Sequence, residues 1–283
     1  MQKIATLTKR NFGANVLRLM ALIILCLSLL GTGICYAQQT KNEQNGTPLR
    51  IAVSANFTPV LKILLKNFTK KTGIKSQVIS GGSGALFLQI KHGAPFDIFL
   101  SADSRRPKAL EQTGFAVNDT RKTYAVGQLA LYSSFLPPTE KFTLKILQNP
   151  PERFAIANPD IAPYGKAAKE TLTHLGLWQR YEPILITGIN IGQTFTQLRS
   201  KAVTSGLVAN SQLVLNNLSG LIIPSSYHQP IKQQLVIIRA SKKQAEAKKL
   251  SDFLLSTESQ KLIISYGYAP VRNINKDIAR VHS

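Results

Sequence analysis

From Leu49 onward, short aliphatic and β-branched runs alternate with amphipathic stretches of helical period, and this alternation sets the strongest limit on the fold. "LRIAVSA" reads as a buried strand and "FTPVLKILLKNFTKKTG" as an amphipathic helix stopped by Gly73. "SQVIS" is a second strand, "ALFLQIKHG" a helix, "FDIFLSA" a third strand and "SRRPKALEQTG" a further helix. This β-α-β-α-β-α order reads as a parallel sheet covered on both faces. The grammar then returns. "TYAVGQLALYSS" is one long strand-like run, and "FAIANP", "YEPILIT" and "SGLVAN" are strands, with helices "GKAAKETLTHLGLW" and "IGQTFTQLRSKA" between them. "QQLVIIR", "QAEAKKLSDFLLS" and "ESQKLIISYG" follow as strand, helix and helix. The expected class is α/β, in two lobes rather than one wide sheet. A ligand would sit where the loops after the strands face each other.

The N-terminus does not belong to that pattern. Lys3, Lys9, Arg10 and Arg18 precede the apolar run Leu19 to Leu30, and "ICYAQQ" offers a small-residue cleavage site after Ala37. The run is short for a membrane span, so residues 1–37 read as a secretory signal peptide. Leu25 and Ile34 precede the cysteines where lipid attachment would need a small residue. Both cysteines, Cys26 and Cys35, fall inside the removed segment. The exported chain then has no disulfide and no thiolate metal site. Residues 38–47 are polar and linker-like.

The chain carries 35 Lys and Arg against 14 Asp and Glu, a formal charge of +21. Such a charge is compatible with nucleic-acid or membrane-surface contact. The basic residues are scattered, however, and the basic stripe interleaved with aromatics that single-strand binders use is missing. A solvated basic surface is the expectation, with no nucleic-acid partner.

One local event recurs at the strand ends. Asn56 follows "IAVSA", Ser83 follows "SQVIS" within "GGSGA", Tyr164-Gly165 precedes a helix, and Asn190-Ile191 precedes another. Each junction presents free backbone N–H groups and the positive end of a helix dipole. Several such ends in one cleft could hold a dianion through neutral donors alone, with the Asn56 amide and the Ser83 hydroxyl adding to them. Ordinary N-capping by Asn and Ser explains each junction taken singly.

"GGSGA" also lies one residue away from the nucleophile elbow of serine hydrolases, with Asp160 and His228 available downstream. The fifth elbow position is Ala85, and an oxyanion motif upstream is missing. His92, His174, His228 and His282 show no metal-binding spacing, and neither a Walker loop nor a dinucleotide fingerprint occurs.

The stretches "AVSANFTPVL", "GGSGALFLQIKHGAPFDIFLSAD", "AIANPDIAPYGKAAKETLTHLGLW", "INIGQTFTQL", "SGLVANSQL" and "FLLSTESQKLIISYGY" together resemble the periplasmic molybdate-binding proteins of ABC transporters. The resemblance implies a two-lobed type II solute-binding fold with the ligand between the lobes. Lobe 1 would comprise residues 48–126 and 230–283, and lobe 2 residues 127–229. It implies capture of molybdate, or tungstate, for an inner-membrane permease by a periplasmic monomer that needs no cofactor and is not an enzyme. Sulfate or another tetrahedral oxyanion is the alternative within the class, and a secreted serine hydrolase through Ser83 the alternative outside it. Carried over by position, the oxyanion meets Ala55, Asn56, Ser83, Tyr164 and Ile191. Tyr164 and Ile191 act through the backbone N–H, so the Tyr164 ring is not used. Ala55 and Ala209 stand where relatives have donor side chains, so Ala55 offers only its N–H.

Overall fold

The computed structural model describes residues 46–134 and 144–271. The expected signal peptide, most of the linker and the last twelve residues, 272–283, lie outside them. The strands are β1 (Leu49–Ser54), β2 (Ser76–Gly81), β3 (Ile98–Leu100), β4 (Lys122–Gly127), β5 (Leu129–Ser133), β6 (Phe154–Ala157), β7 (Leu185–Gly188), β8 (Ser205–Ala209), β9 (Leu221–Ile222) and β10 (Ile231–Ile237). The helices are α1 (Thr58–Thr72), α2 (Ser83–Lys91), α3 (Arg105–Gln112), α4 (Pro163–His174), α5 (Trp178–Tyr181), α6 (Ile191–Arg199), α7 (Asn210–Val214), α8 (Gln244–Leu255) and α9 (Thr257–Ser265).

They build two five-stranded sheets, in the orders β2-β1-β3-β10-β4 and β7-β6-β8-β5-β9. The period of two along each strand divides the first lobe's core in half. Ile51 and Val53 of β1, Ile98 and Leu100 of β3, and Leu235 and Ile237 of β10 face α1, α8 and α9. Ala52, Phe99 and Val236 point the other way, onto Leu86 and Ile90 of α2 and Leu110 of α3. The second lobe repeats the scheme. Phe154, Ile156 and Leu207 pack on α4, while Ala155 and Val208 pack on Leu198 of α6. Helices therefore cover both faces of both sheets, as the apolar runs require. Helix α1 ends as expected, with Gly73 at φ 72° and its N–H on the Thr69 carbonyl at 2.8 Å.

Two features differ from the sequence expectation. "TYAVGQLALYSS" is two strands in two sheets, and the chain passes between lobes at Gln128. A Cβ at Gly127 would lie 2.3 Å from the Tyr164 hydroxyl, so the crossing runs against the start of α4 through a position without a side chain. The sheets are also less parallel than expected. Strands β1, β2 and β3 pair in parallel, as do β6, β7 and β8, but β10 runs antiparallel to β3 and β4 and β5 antiparallel to β8 and β9. Every strand in those antiparallel pairs other than β3 and β8 flanks a crossing between the sheets. "YEPILIT" is a strand only from Leu185, because Glu182–Ile184 forms a 3-10 turn around Pro183, which cannot donate to a ladder.

Candidate functional site

The expected residues gather where the two lobes meet. Helix α2 begins at Ser83 after Gly82, which has no capping side chain. An ideal Cβ on Gly82 would lie 3.4 Å from the Cβ of Asn190 in the other lobe. An ideal Cβ on Gly192, next to Ile191, would lie 3.1 Å from the Cβ of Ala55. The start of α6 thus meets both the start of α2 and the turn after β1 at van der Waals range. The start of α4 joins them through Gln233, whose Nε2 donates to the Tyr164 hydroxyl at 3.2 Å and whose Oε1 accepts from Asn56 Nδ2 at 3.0 Å. On the outer side, Arg106 pairs with Asp103 and donates to the Ile161 carbonyl at 2.9 Å, a further link between lobes.

The helix starts leave particular donors over. On α6, Asn190 Oδ1 accepts from the N–H of Gly192 at 2.9 Å and of Gln193 at 3.1 Å. This is ordinary capping, and it leaves the Ile191 N–H as the first-turn donor without an intrahelical acceptor. On α4 the N-cap is Ala162, which cannot cap, and Pro163 has no N–H, so Tyr164 supplies the first donor. Ser83 and Asn56 are not N-caps at all. Ser83 is the first residue of α2, and Phe57 precedes α1.

Ser83 is buried, and its Oγ shares a hydrogen bond of 2.7 Å with Ser54 Oγ. The Ala102 N–H donates to both oxygens, at 3.0 Å to Ser54 and 3.2 Å to Ser83. Two hydroxyls share one bond between them, so one O–H hydrogen remains for another acceptor. None of these partners is a base. Asp160 and His228 are not among the partners of Ser83, and the His228 ring bonds the Gln229 carbonyl. Both line a groove of about 1130 Å³, together with Arg105, Lys166, Lys169 and Lys232, which borders the site at Ala102, Ala162 and Pro163 but is lined by none of the five expected residues. The hydrolase constellation does not assemble.

The Ala55 N–H donates to the Gly81 carbonyl at 2.9 Å, so the one donor that the resemblance gives Ala55 is engaged within the chain. The Asn56 N–H, by contrast, has no backbone acceptor among the described residues. The Tyr164 hydroxyl is the lobe-2 end of the Gln233 bridge, a contact within the protein. Beneath the site, Phe57 packs on Tyr124 at 4.7 Å and on Tyr268 at 5.6 Å between ring centroids. The Tyr124 hydroxyl lies 3.1 Å from the Ser101 carbonyl and 3.2 Å from Gln233 Oε1, and the Tyr268 hydroxyl donates to the Asn56 carbonyl at 3.0 Å. Ser54, Gln233, Tyr124 and Tyr268 escaped the sequence reading, although Tyr268 lies in the quoted "SQKLIISYGY".

Burial pushes the hydroxyls of Tyr124, Tyr164 and Tyr268 well above the ordinary tyrosine range, and that of Tyr181 up to about 12. All four stay protonated at neutral pH. The folded protein then holds protons that the unfolded chain releases near pH 10, so stability falls as pH rises through 10 towards 12 and above. The thermal midpoint should change little between pH 7 and pH 9 and drop steeply beyond pH 10. A midpoint unchanged up to pH 11.5 would show that these phenols are not buried.

Two lobes of α/β topology, joined by crossings beside a cleft lined with helix N-termini, define the class of solute-binding proteins. The profile of the family described as "Bacterial extracellular solute-binding protein" matches residues 49–269, and the chain belongs to that family. It is 39% identical over 218 residues to the molybdate-binding protein ModA of Rhodobacter capsulatus, covering 77% of this chain and 86% of that protein. It is 35% identical over 245 residues to the ModA of Azotobacter vinelandii, covering 84% and 94%. The solved structure of the Azotobacter vinelandii periplasmic molybdate-binding protein superimposes with a TM-score of 0.75 at 34% identity, over 79% of this chain and 100% of that one. No described helix is long and apolar enough to cross a membrane.

Proposed function

We propose that this chain captures molybdate, and tungstate with it, and delivers the anion to an ABC permease in the inner membrane. It acts as a monomer without a cofactor, in the periplasm, after export and removal of residues 1–37. Lobe 1 then comprises residues 48–126 and 230–283 and lobe 2 residues 127–229. It binds, and does not transform, its ligand.

One observation carries the reading. The N–H groups of Tyr164 and Ile191 on lobe 2 and the Ser83 hydroxyl and Asn56 N–H on lobe 1 have donor capacity left over, and the elements that carry them approach one another between the lobes. A tetrahedral dianion offers acceptors in every direction, and helix N-termini favour negative charge. The Arg106 guanidinium beside Gly84 is committed to Asp103 and the Ile161 carbonyl, so neutral donors are left to hold the anion. Relatives that are 39% and 35% identical are named for molybdate binding, which favours that anion over sulfate.

The test is thermal unfolding of the exported protein with graded molybdate, tungstate or sulfate. A ligand that binds only the folded form at a hundred times its Kd adds about 2.7 kcal/mol. Molybdate and tungstate should raise the midpoint at one anion per chain, and sulfate at equal concentration should raise it far less. Equal shifts with sulfate would overturn the molybdate assignment while leaving the anion site in place.

A further inference from the structure

Gly84 has no place in the donor set, yet a side chain there would be crowded. An ideal Cβ on it would lie 3.1 Å from Arg106 Nη2 and 3.2 Å from the Ile161 carbonyl oxygen. Those two atoms bond each other, with Nη2 donating at 2.9 Å. Next to Ser83, Gly84 thus leaves room for a contact that runs from lobe 1 to lobe 2.

The lobe-1 end of this contact is built in advance. Arg106 lies in the first turn of α3 and is a buried charge, 8% exposed. Asp103 holds it twice. One carboxylate oxygen accepts the Arg106 N–H at 2.9 Å, and the other pairs with the guanidinium Nη1. Both residues belong to lobe 1, so this pairing does not depend on lobe 2. A guanidinium is a rigid planar fork, and fixing Nη1 on Asp103 fixes the direction of Nη2. The two charges offset each other, so the pair supplies a directed donor and little net charge.

The contact lies close to anion donors on both sides. Ala102, whose N–H donates to Ser83 Oγ at 3.2 Å, immediately precedes Asp103. Ile161 immediately precedes Ala162, the N-cap of α4, and stands three residues before Tyr164. The Ala162 N–H donates to the Asn158 carbonyl at 2.9 Å, so the gripped carbonyl belongs to a folded turn and not to a loose loop.

We propose that Arg106 is the closure latch of the anion site. It is a positioning residue, aimed by Asp103 and given room by Gly84, that draws the start of α4 against lobe 1 without touching the anion. The inference rests on the oxyanion-binding function proposed above. Its bond spans the two lobes, so it forms when they come together over the anion and breaks when they part. A contact made after capture acts on release and leaves the capture rate nearly unchanged.

The experiment uses protein exported to and purified from the periplasm, with radiolabelled molybdate as the probe and unlabelled molybdate as the chase. Gly84→Ala keeps every charge and sets a methyl group against both partners of the bond. Arg106→Lys keeps the charge beside Asp103, but an ammonium is a point donor without the fork that reaches Ile161 as well. Release should be roughly ten- to a hundredfold faster in each, the range of one hydrogen bond from a charged group. Capture should stay within about threefold of the wild type. The ligand-free thermal midpoint of Gly84→Ala should not fall, because Ala favours the helix and separated lobes leave space for the methyl. Arg105→Lys, on the exposed neighbour, should release molybdate at the wild-type rate. A lowered ligand-free midpoint with an unchanged release rate would make the bond an ordinary contact of the fold and overturn the latch. Fast release in Gly84→Ala with wild-type release in Arg106→Lys would trace the effect to Ser83 and overturn it too. So would equally fast release in Arg105→Lys, which would trace it to the head of α3. If the wild type takes up no molybdate, tungstate or sulfate, the proposed function falls and the latch with it. Wild-type binding with wild-type release in both variants removes the latch alone.

Discussion

Replacing Ser83 by Ala should weaken molybdate binding by roughly ten- to a hundredfold while leaving the fold nearly as stable as before. The affinity loss follows from the partner. A hydrogen bond to a charged group contributes about 1.5–3 kcal/mol. The Ser54–Ser83 pair has one O–H hydrogen to spare, and Ser83, at the head of α2, is the member placed to aim it at an anion. The stability loss is small because the Ala102 N–H keeps Ser54 Oγ at 3.0 Å as its acceptor. What the variant loses in folding is one neutral bond, about 1 kcal/mol. Ser54→Ala makes the informative contrast. It removes the better acceptor of the Ala102 N–H and the partner that orients Ser83, so its cost should lie more in stability and less in affinity. Calorimetry and thermal unfolding on both variants separate the two patterns. Affinity within twofold of wild type in Ser83→Ala would remove this hydroxyl from the anion site.

Much of the candidate site could be proposed before any coordinates, because its residues sit at ends of elements that hydrophobic period makes visible. Ala55, Asn56 and Ser83 each follow an apolar strand, and Tyr164 and Ile191 each open a helix whose buried face repeats every three or four residues. Gly73 announced the end of α1 because only a left-handed residue suits that cap. The unread part has three physical causes. Gln233 occupies a strand position, where a polar residue ordinarily faces water, but the alternation of β10 sets it on the buried side with Ile231 and Leu235. Ser54 looked like one more strand residue, because its partners Ser83 and Ala102 come from two later segments of the chain. Gln128 gave little warning of a crossing, since Gly127 is the single break in "VGQLA" and both flanks are apolar. Spacing that seemed to offer a Ser-Asp-His set failed for the same reason in reverse. Order along the chain carries no distance, and Ser83 and His228 have separate surroundings.

Gly165→Ala should destabilise the protein and weaken its hold on molybdate, against the direction that helix propensity alone would give. Gly165 lies in the first turn of α4, where exchanging Gly for Ala normally gains about 0.8–1 kcal/mol. Here an ideal Cβ would lie 2.2 Å from the Ala157 carbonyl oxygen and 2.6 Å from the Asn158 oxygen. Both are backbone atoms at the end of β6, so no flexible side chain can swing aside. Relief requires moving the start of α4 off the strand, and overpacking of this kind costs about 1–3 kcal/mol. For a chain of this size that lowers the thermal midpoint by roughly 2–12 °C. The same displacement carries the Tyr164 N–H away from the cleft and its hydroxyl away from Gln233, so affinity falls with stability. Lys166→Ala, one residue further on and exposed, is the control and should stay within about 0.5 kcal/mol. A midpoint at or above wild type for Gly165→Ala would mean that propensity wins and that α4 does not rest on the end of β6. A lowered midpoint with unchanged molybdate affinity, measured well below unfolding, would mean that the start of α4 does not touch the anion.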